Sequence, residues 1–191
     1  MPSKFLEIVK QRRSVRKYTD REVTDSEINT ILETARLAPS SNNTQCWRFI
    51  VVRDKDKIRE LSKAGPLISK PVIGFIEKAP CVIACCAEPQ AIYHKATKSL
   101  IPADLAVMDV TIATEHIVLS AAEMGLGTCW IGWVSEKKAA SILELPKKWK
   151  VIALLAVGWP QKPLEPREPN RKELSEIAFR ENPQTPWKSE D

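Results

Sequence analysis

The run ADLAVMDVTIATEHIVLSAAEMG, residues 103–125, decides how this chain is built. It is the longest stretch with helical periodicity, and its apolar positions fall almost all the way round the helix. Such a helix is buried on nearly every side. A chain of 191 residues has room for one sizeable core, and it can hardly enclose a helix of this length alone. Part of the helix is therefore expected to meet a second subunit. A membrane crossing is the obvious rival. Residues 102–126 carry Asp104, Asp109, Glu115, His116 and Glu123, too many polar groups for a lipid-facing helix, so no membrane contact is expected.

Short apolar runs surround this helix. Residues 79–87, Ala-Pro-Cys-Val-Ile-Ala-Cys-Cys-Ala, are apolar throughout and suit a central strand covered on both faces. Residues 128–134 read as another strand, with Gly132 late in it, where glycine often marks a close backbone approach to a ligand. Residues 47–52 and 149–157 complete four strands, and Gly125 and Gly127 close the long helix. Residues 4–13 fit a helix with Phe5, Ile8 and Val9 on one face. Thr24 and Glu27 form a capping box, with Val23 and Ile28 as its staple. The helix it starts carries a stripe of Ile28, Ile31, Leu32, Ala35 and Ala38, and Pro39 stops it. Further helices fit 54–64 and 136–144, whereas 65–78 looks irregular and 88–101, with His94, reads as a cover over a site. From residue 160 onward six prolines and many charges replace the apolar pattern, which describes an arm with one short helix near 171–180. The expected fold class is α+β: a mixed central β-sheet flanked by helices, a long buried interface helix and an extended C-terminal arm. Residues 1–160 would form the body, and 161–191 the arm of the same domain.

Charge is the next guide. Net charge is only +5, but residues 1–17 hold six Lys or Arg against one Glu. Within that region Arg12-Arg13-Ser14-Val15-Arg16 sets three guanidinium groups around one hydroxyl. Arginine's planar fork matches phosphate oxygens two at a time, so the cluster suits an anion. A basic helix end stabilised by the helix dipole is the local alternative. An RNA-binding arm is a third reading, but only Phe5 and Tyr18 supply aromatics nearby, so nucleic acid is not expected. Residues 39–46, Pro-Ser-Ser-Asn-Asn-Thr-Gln-Cys, are dense in short polar side chains, which suits either a ligand-lining loop or a plain turn cluster.

Several chemistries find no material. The five cysteines are odd in number and none has metal-ligand spacing, so reduced, buried thiols and no metal are expected. No export signal opens the chain, which points to a cytoplasmic protein. No Gly-x-Gly-x-x-Gly follows a strand, no Walker A sequence occurs, and no nucleophile triad is legible. His116 in the long helix reads as a satisfied core group, and Trp130 and Trp133 as core residues.

Four segments together resemble the FMN-dependent nitroreductase family. Arg12-Arg13-Ser14-Val15-Arg16 is similar to its N-terminal flavin motif. Pro39-Ser40-Ser41-Asn42-Asn43-Thr44-Gln45-Cys46-Trp47 is similar to its Pro-Ser-Ser-x-Asn-x-Gln-Pro-Trp loop, with Cys46 in place of proline, a change expected to loosen the loop. Gly125-Leu126-Gly127-Thr128-Cys129-Trp130-Ile131-Gly132 is similar to a Gly-Leu-Gly-x-x-x-x-Gly segment, and Arg171-Lys172 to a C-terminal basic pair. The resemblance implies a homodimer with FMN at the interface and arms wrapping the partner. It implies that Arg12, Arg13, Ser14 and Arg171, supplemented by Lys172, bind the phosphate. Arg16 would lie near the N1 and O2 edge of the ring. The Pro39 loop, through Ser40, Ser41 and Asn43, would come from the other subunit. Ile131 and Gly132 would meet the reactive edge. Lys63 and Lys70 are candidates for the substrate side. The implied reaction is ping-pong: hydride from NADH or NADPH, then reduction of a nitroaromatic, quinone or similar small acceptor. A specialised flavin reaction on the same fold, such as dehalogenation, azoline oxidation or flavin fragmentation, is the rival within the family.

Overall fold

Thr24 caps the helix Asp25–Arg36 as its sequence demands. Its side chain accepts from the Glu27 N–H, and Glu27 returns a hydrogen bond to the Thr24 N–H. A cap of this kind is worth about 1 kcal/mol. The computed structural model describes residues 3–65, 73–89, 104–165, 168 and 170–187. Among them are α1 (Lys4–Gln11), α2 (Asp25–Arg36), β1 (Trp47–Val52), α3 (Lys55–Leu61), β2 (Cys81–Ala87), α4 (Leu105–Glu123), β3 (Gly127–Ile131), α5 (Glu136–Ile142), β4 (Lys150–Gly158) and α6 (Leu174–Ile177). Short 3-10 turns cover Ser41–Asn43 and Gly74–Lys78. The expected α+β class is the one observed.

The strands lie in the order β1-β2-β4-β3, and every pair is antiparallel. The expectation of a mixed sheet is corrected in this respect. Parallel pairing among the described residues is confined to one bridge, Ser14 with Thr128, where the N-terminal segment runs along the outer edge of β3. That edge is thus covered rather than left open.

Side chains alternate across β2 and β4 and build two cores. Ile83, Cys85, Leu155 and Val157 face α2 and α4, where they meet Ile31, Val110 and Ile117. Val82, Ala84, Leu154 and Ala156 face α3 and α5, where they meet Ile58, Leu61 and Ala139. All seven residues of β2 are buried, as its unbroken apolar run requires.

The long helix α4 packs against α1, α2, β1, β2 and β3. By length and composition it could also cross a membrane, but its burial within the sheet layers makes it the core helix of this fold. Met124 follows as its C-cap, and Gly125 then takes φ +80°. The Leu126 N–H reaches back to Ala121 O and the Gly125 N–H to Ala122 O, closing the helix with a Schellman motif. One strip of α4 remains open: Val107, Met108 and Ile112 are exposed, next to a helix α1 whose Phe5, Leu6 and Val9 are exposed too.

All five cysteines are free and buried. Burial pushes the Cys85 and Cys86 thiols up to about 12 and Cys81 up to about 11, from an ordinary 9.0. The folded thiols therefore stay protonated while the unfolded ones ionise. Stability should be intact below about pH 9 and should fall as the pH rises towards 12. Urea midpoints at pH 8 and above pH 10 will read this directly. A thiol reagent at pH 8 should find no fast-reacting cysteine in the native protein, and all five after denaturation.

Candidate functional site

Arg12 is the C-cap of α1, and from there the chain runs extended alongside β3. The Val15 N–H donates to Thr128 O at 2.8 Å, and Val15 turns into the core over Gly127. Tyr18, also buried, donates its hydroxyl to Val15 O at 2.6 Å and pairs with Pro160. These contacts fix residues 12–18 between β3 and the chain leaving β4. The basic cluster is thus built on an anchored strand-like segment and not on a helix.

The cluster divides by direction. Ser14 and Arg16 both act on Cys129: a hydrogen bond from Ser14 and the Arg16 charge oppose the upward push that burial gives its thiol. Arg16 also stands 5.8 Å from the centre of the Phe75 ring. Arg12 acts on Glu115 of α4. Burial raises that half-buried carboxyl, while the Arg12 charge and a hydrogen bond from Trp130 work against the rise. Arg13 donates to Glu165 O in the arm, and its Nε is buried without a partner. Between this segment and residues 160–164 lies a cavity of about 360 Å³. Arg13, Ser14, Arg16, Lys17 and Lys162 line it, and among the described residues no carboxylate does. Four cations around one hydroxyl make a wall whose charge suits an anion.

The 39–46 loop is tied elsewhere. Ser41 and Thr44 hydrogen-bond to Asp109 in the N-terminal half of α4, and Gln45 N–H donates to Ser40 Oγ at 3.0 Å. The basic cluster sits instead beside β3, which follows α4, and its Arg12 acts on Glu115, about 9 Å further along α4 than Asp109 at the helical rise of 1.5 Å per residue. Cys46 does not loosen the loop as expected. It is buried, with its thiol 3.8 Å from both Ala106 O and Asp109 Oδ2, so it seats the loop on α4.

The remaining candidates are dispersed. Ile131 is buried at the end of β3, and Gly132 lies just past it, exposed, with open space where a side chain would stand. A close approach within the protein is made at Gly127, beneath Val15. Arg171 and Lys172 are exposed on the arm, Arg171 donates to its neighbour Asn170 O, and neither lines the cavity. Pro39 is exposed, and Lys63 lies exposed after α3. Lys70 and His94 fall outside the described residues. His116 is half-buried and donates from Nδ1 to Ile112 O at 2.9 Å, a satisfied group as expected. Trp130 packs on the core, but Trp133 is exposed, because the chain has left the sheet at Ile131. The sequence reading missed Asp109 as a loop anchor, along with Lys17 and Lys162. For Asp109 a signal existed: a carboxylate in an otherwise apolar helix has to be satisfied from outside it.

Fold and cavity together describe an α+β protein with a cluster of cations beside an edge strand. The sequence model of the Nitroreductase family matches residues 9–159. An Archaeoglobus fulgidus protein provisionally named NADH dehydrogenase/NAD(P)H nitroreductase is 34% identical over 160 residues, covering 82% of this chain and 85% of that one. The FMN reductase (NAD(P)H) of Bacillus subtilis is 30% identical over 180 residues, covering 82% and 68%. The solved FMN-dependent nitroreductase of Clostridium difficile R20291 superposes with a TM-score of 0.76 at 31% identity, covering 91% of this chain and 98% of that one. This chain belongs to the Nitroreductase family and is an oxidoreductase.

Proposed function

We propose that the protein is an FMN-dependent NAD(P)H oxidoreductase, a cytoplasmic homodimer that reduces nitroaromatic, quinone or similar small acceptors by alternating half-reactions. The four-cation cavity on the segment 13–17 carries this reading. It fits a flavin phosphate: the chemistry of its walls is that of a dianion receptor, and the buried Arg13 Nε still lacks a partner. Bound there, FMN would supply hydride acceptance from the nicotinamide and onward two-electron transfer.

The chain's own residues do the rest. Arg13 and Ser14 hold the phosphate from the cavity wall, Arg12 joins them from outside that wall, and Arg171 and Lys172 add charge from the arm. Arg16 keeps a fixed positive charge beside the ring, where negative charge develops on reduction. Ile131 and Gly132 meet the ring edge, and the open space at Gly132 supports that role. Pro39, Ser40 and Asn43, on the loop that Ser41 ties to Asp109, serve the site of the partner, a reading supported by the cavity at 13–17 having no residue of this loop in its wall. Exposed Phe5, Val9, Met108 and Ile112 support a dimer through α1 and α4. Exposed Leu174, Ile177, Phe179 and Trp187 support an arm that closes over the second subunit.

The test is spectroscopic. Purified protein should carry or take up FMN, elute at twice the chain mass and bleach at the flavin band on anaerobic addition of NADH or NADPH. An acceptor panel should then restore the colour. Protein that fails to bind added FMN would overturn the proposal.

A further inference from the structure

We infer that Asp109 is the positioning residue of the 39–46 loop, and that Ser41 and Thr44 act through it instead of touching a bound molecule. The inference rests on reading this loop as part of the flavin site.

Asp109 is 2% exposed and sits among the apolar residues of α4. Its Oδ1 accepts from the Ser41 N–H at 2.9 Å and from Ser41 Oγ at 3.0 Å. Its Oδ2 accepts from Thr44 Oγ1 at 3.1 Å, with the Cys46 thiol at 3.8 Å. These four donors are neutral, and all come from six consecutive residues of one loop. A buried carboxylate is tolerated only when hydrogen bonds replace its hydration. Here the groups that replace it are the loop itself, so loop and carboxylate fix one another.

The loop needs that fixing. Asn42, Asn43 and Gln45 have φ of 50°, 53° and 47°, three left-handed residues within four positions and none of them glycine. Such conformations persist only where the surroundings over-determine them. The bonds to Asp109 bracket the strained stretch, at Ser41 before it and at Thr44 and Cys46 within and after it. Both Ser41 donors are spent inward. Beyond Pro39, the exposed side chains of the loop are then those of Asn42, Asn43 and Gln45, with Gln45 Nε2 bonded to Asn43 Oδ1 at 3.0 Å. The expectation that Ser41 is a ligand contact is thereby replaced: Ser41 shapes the loop, and Asn43 faces outward.

The experiment compares the full-length protein with Asp109→Ala, Asp109→Asn, Ser41→Ala and the double variant Ser41→Ala/Asp109→Ala. FMN affinity is measured by fluorescence titration, and amide exchange over residues 40–46 without ligand. Asp109→Ala should weaken FMN binding about 10- to 100-fold, as expected when charge-assisted hydrogen bonds that order a binding loop are lost. Asp109→Asn keeps an acceptor oxygen for Ser41 and should stay within about threefold of wild type. The double variant should bind no worse than Asp109→Ala, because both changes remove the same bonds. Exchange at 40–46 should accelerate in Asp109→Ala and recover in Asp109→Asn. Unchanged FMN affinity in Asp109→Ala, or an additive loss in the double variant, overturns the inference. If Asp109→Ala does not fold, Ser41→Ala/Thr44→Val poses the same question. If wild type takes up no FMN, the flavin reading fails, and the exchange data alone decide whether Asp109 orders the loop.

Discussion

Gly127→Ala is expected to destabilise the protein by about 3 kcal/mol and to abolish tight FMN binding, an overpacking penalty at the upper end of the usual range. A Cβ at this position would stand 2.6 to 2.8 Å from Cγ2, Cβ and Cγ1 of Val15. Val15 cannot swing aside, because it is short, branched, buried and held by its own N–H to Thr128 O. Relief has to come from the backbone. The segment 12–18 would lift off the edge of β3, and the basic cavity depends on that seat. In a chain of this size the loss corresponds to a fall of roughly 6–12 °C in Tm. The decisive variant is Val15→Gly/Gly127→Ala, which removes the three atoms that clash. Val15→Gly alone costs core contacts, yet in the Gly127→Ala background it should raise stability. Two losses that simply add would show that the contact does not govern the segment's position.

What the sequence made legible follows the reach of the forces involved. The capping box at Thr24, the wholly buried strand Cys81–Ala87 and the long helix Leu105–Glu123 rest on local patterns, and the structure has them close to the expected limits. Gly125 was readable as a helix stop for the same reason. Gly127 was not: its role depends on Val15, more than a hundred residues away, packing onto one atom-sized gap. The direction of sheet pairing is likewise non-local, and the sheet expected to be mixed pairs its four strands antiparallel. In the site, the basic cluster was visible as charge. Its division was not, since whether a guanidinium turns to Glu115, Glu165 or Cys129 is settled by neighbours remote in sequence. Trp133 misled because an aromatic after an apolar strand reads as core, and only the end of β3 at Ile131 shows that the chain has already turned outward.

The largest effect on function is expected from Arg12→Ala combined with Arg13→Ala, and its value lies in a control the geometry suggests. Hydrogen bonds to a charged group contribute about 1.5–3 kcal/mol each, so two guanidinium groups on one phosphate amount to roughly 3–6 kcal/mol. FMN affinity should then fall about 100- to 10,000-fold. Both side chains also have structural contacts, Arg13 with the arm carbonyl of Glu165 and Arg12 with the charge of Glu115, so weaker binding alone could reflect a loosened scaffold. Riboflavin separates the two. It carries the ring and ribityl chain without the phosphate, so the double variant should bind riboflavin nearly as wild type does. On the proposed role of Arg16 beside the ring, Arg16→Ala should show the complementary pattern, with FMN and riboflavin weakened alike. Equal losses for both ligands in the Arg12, Arg13 variant would remove the phosphate assignment and leave those arginines as braces for the segment. A selective loss for FMN would mean that the cavity between residues 13–17 and 160–164 binds through charge, with the packing of Val15 and Tyr18 holding that charge in place.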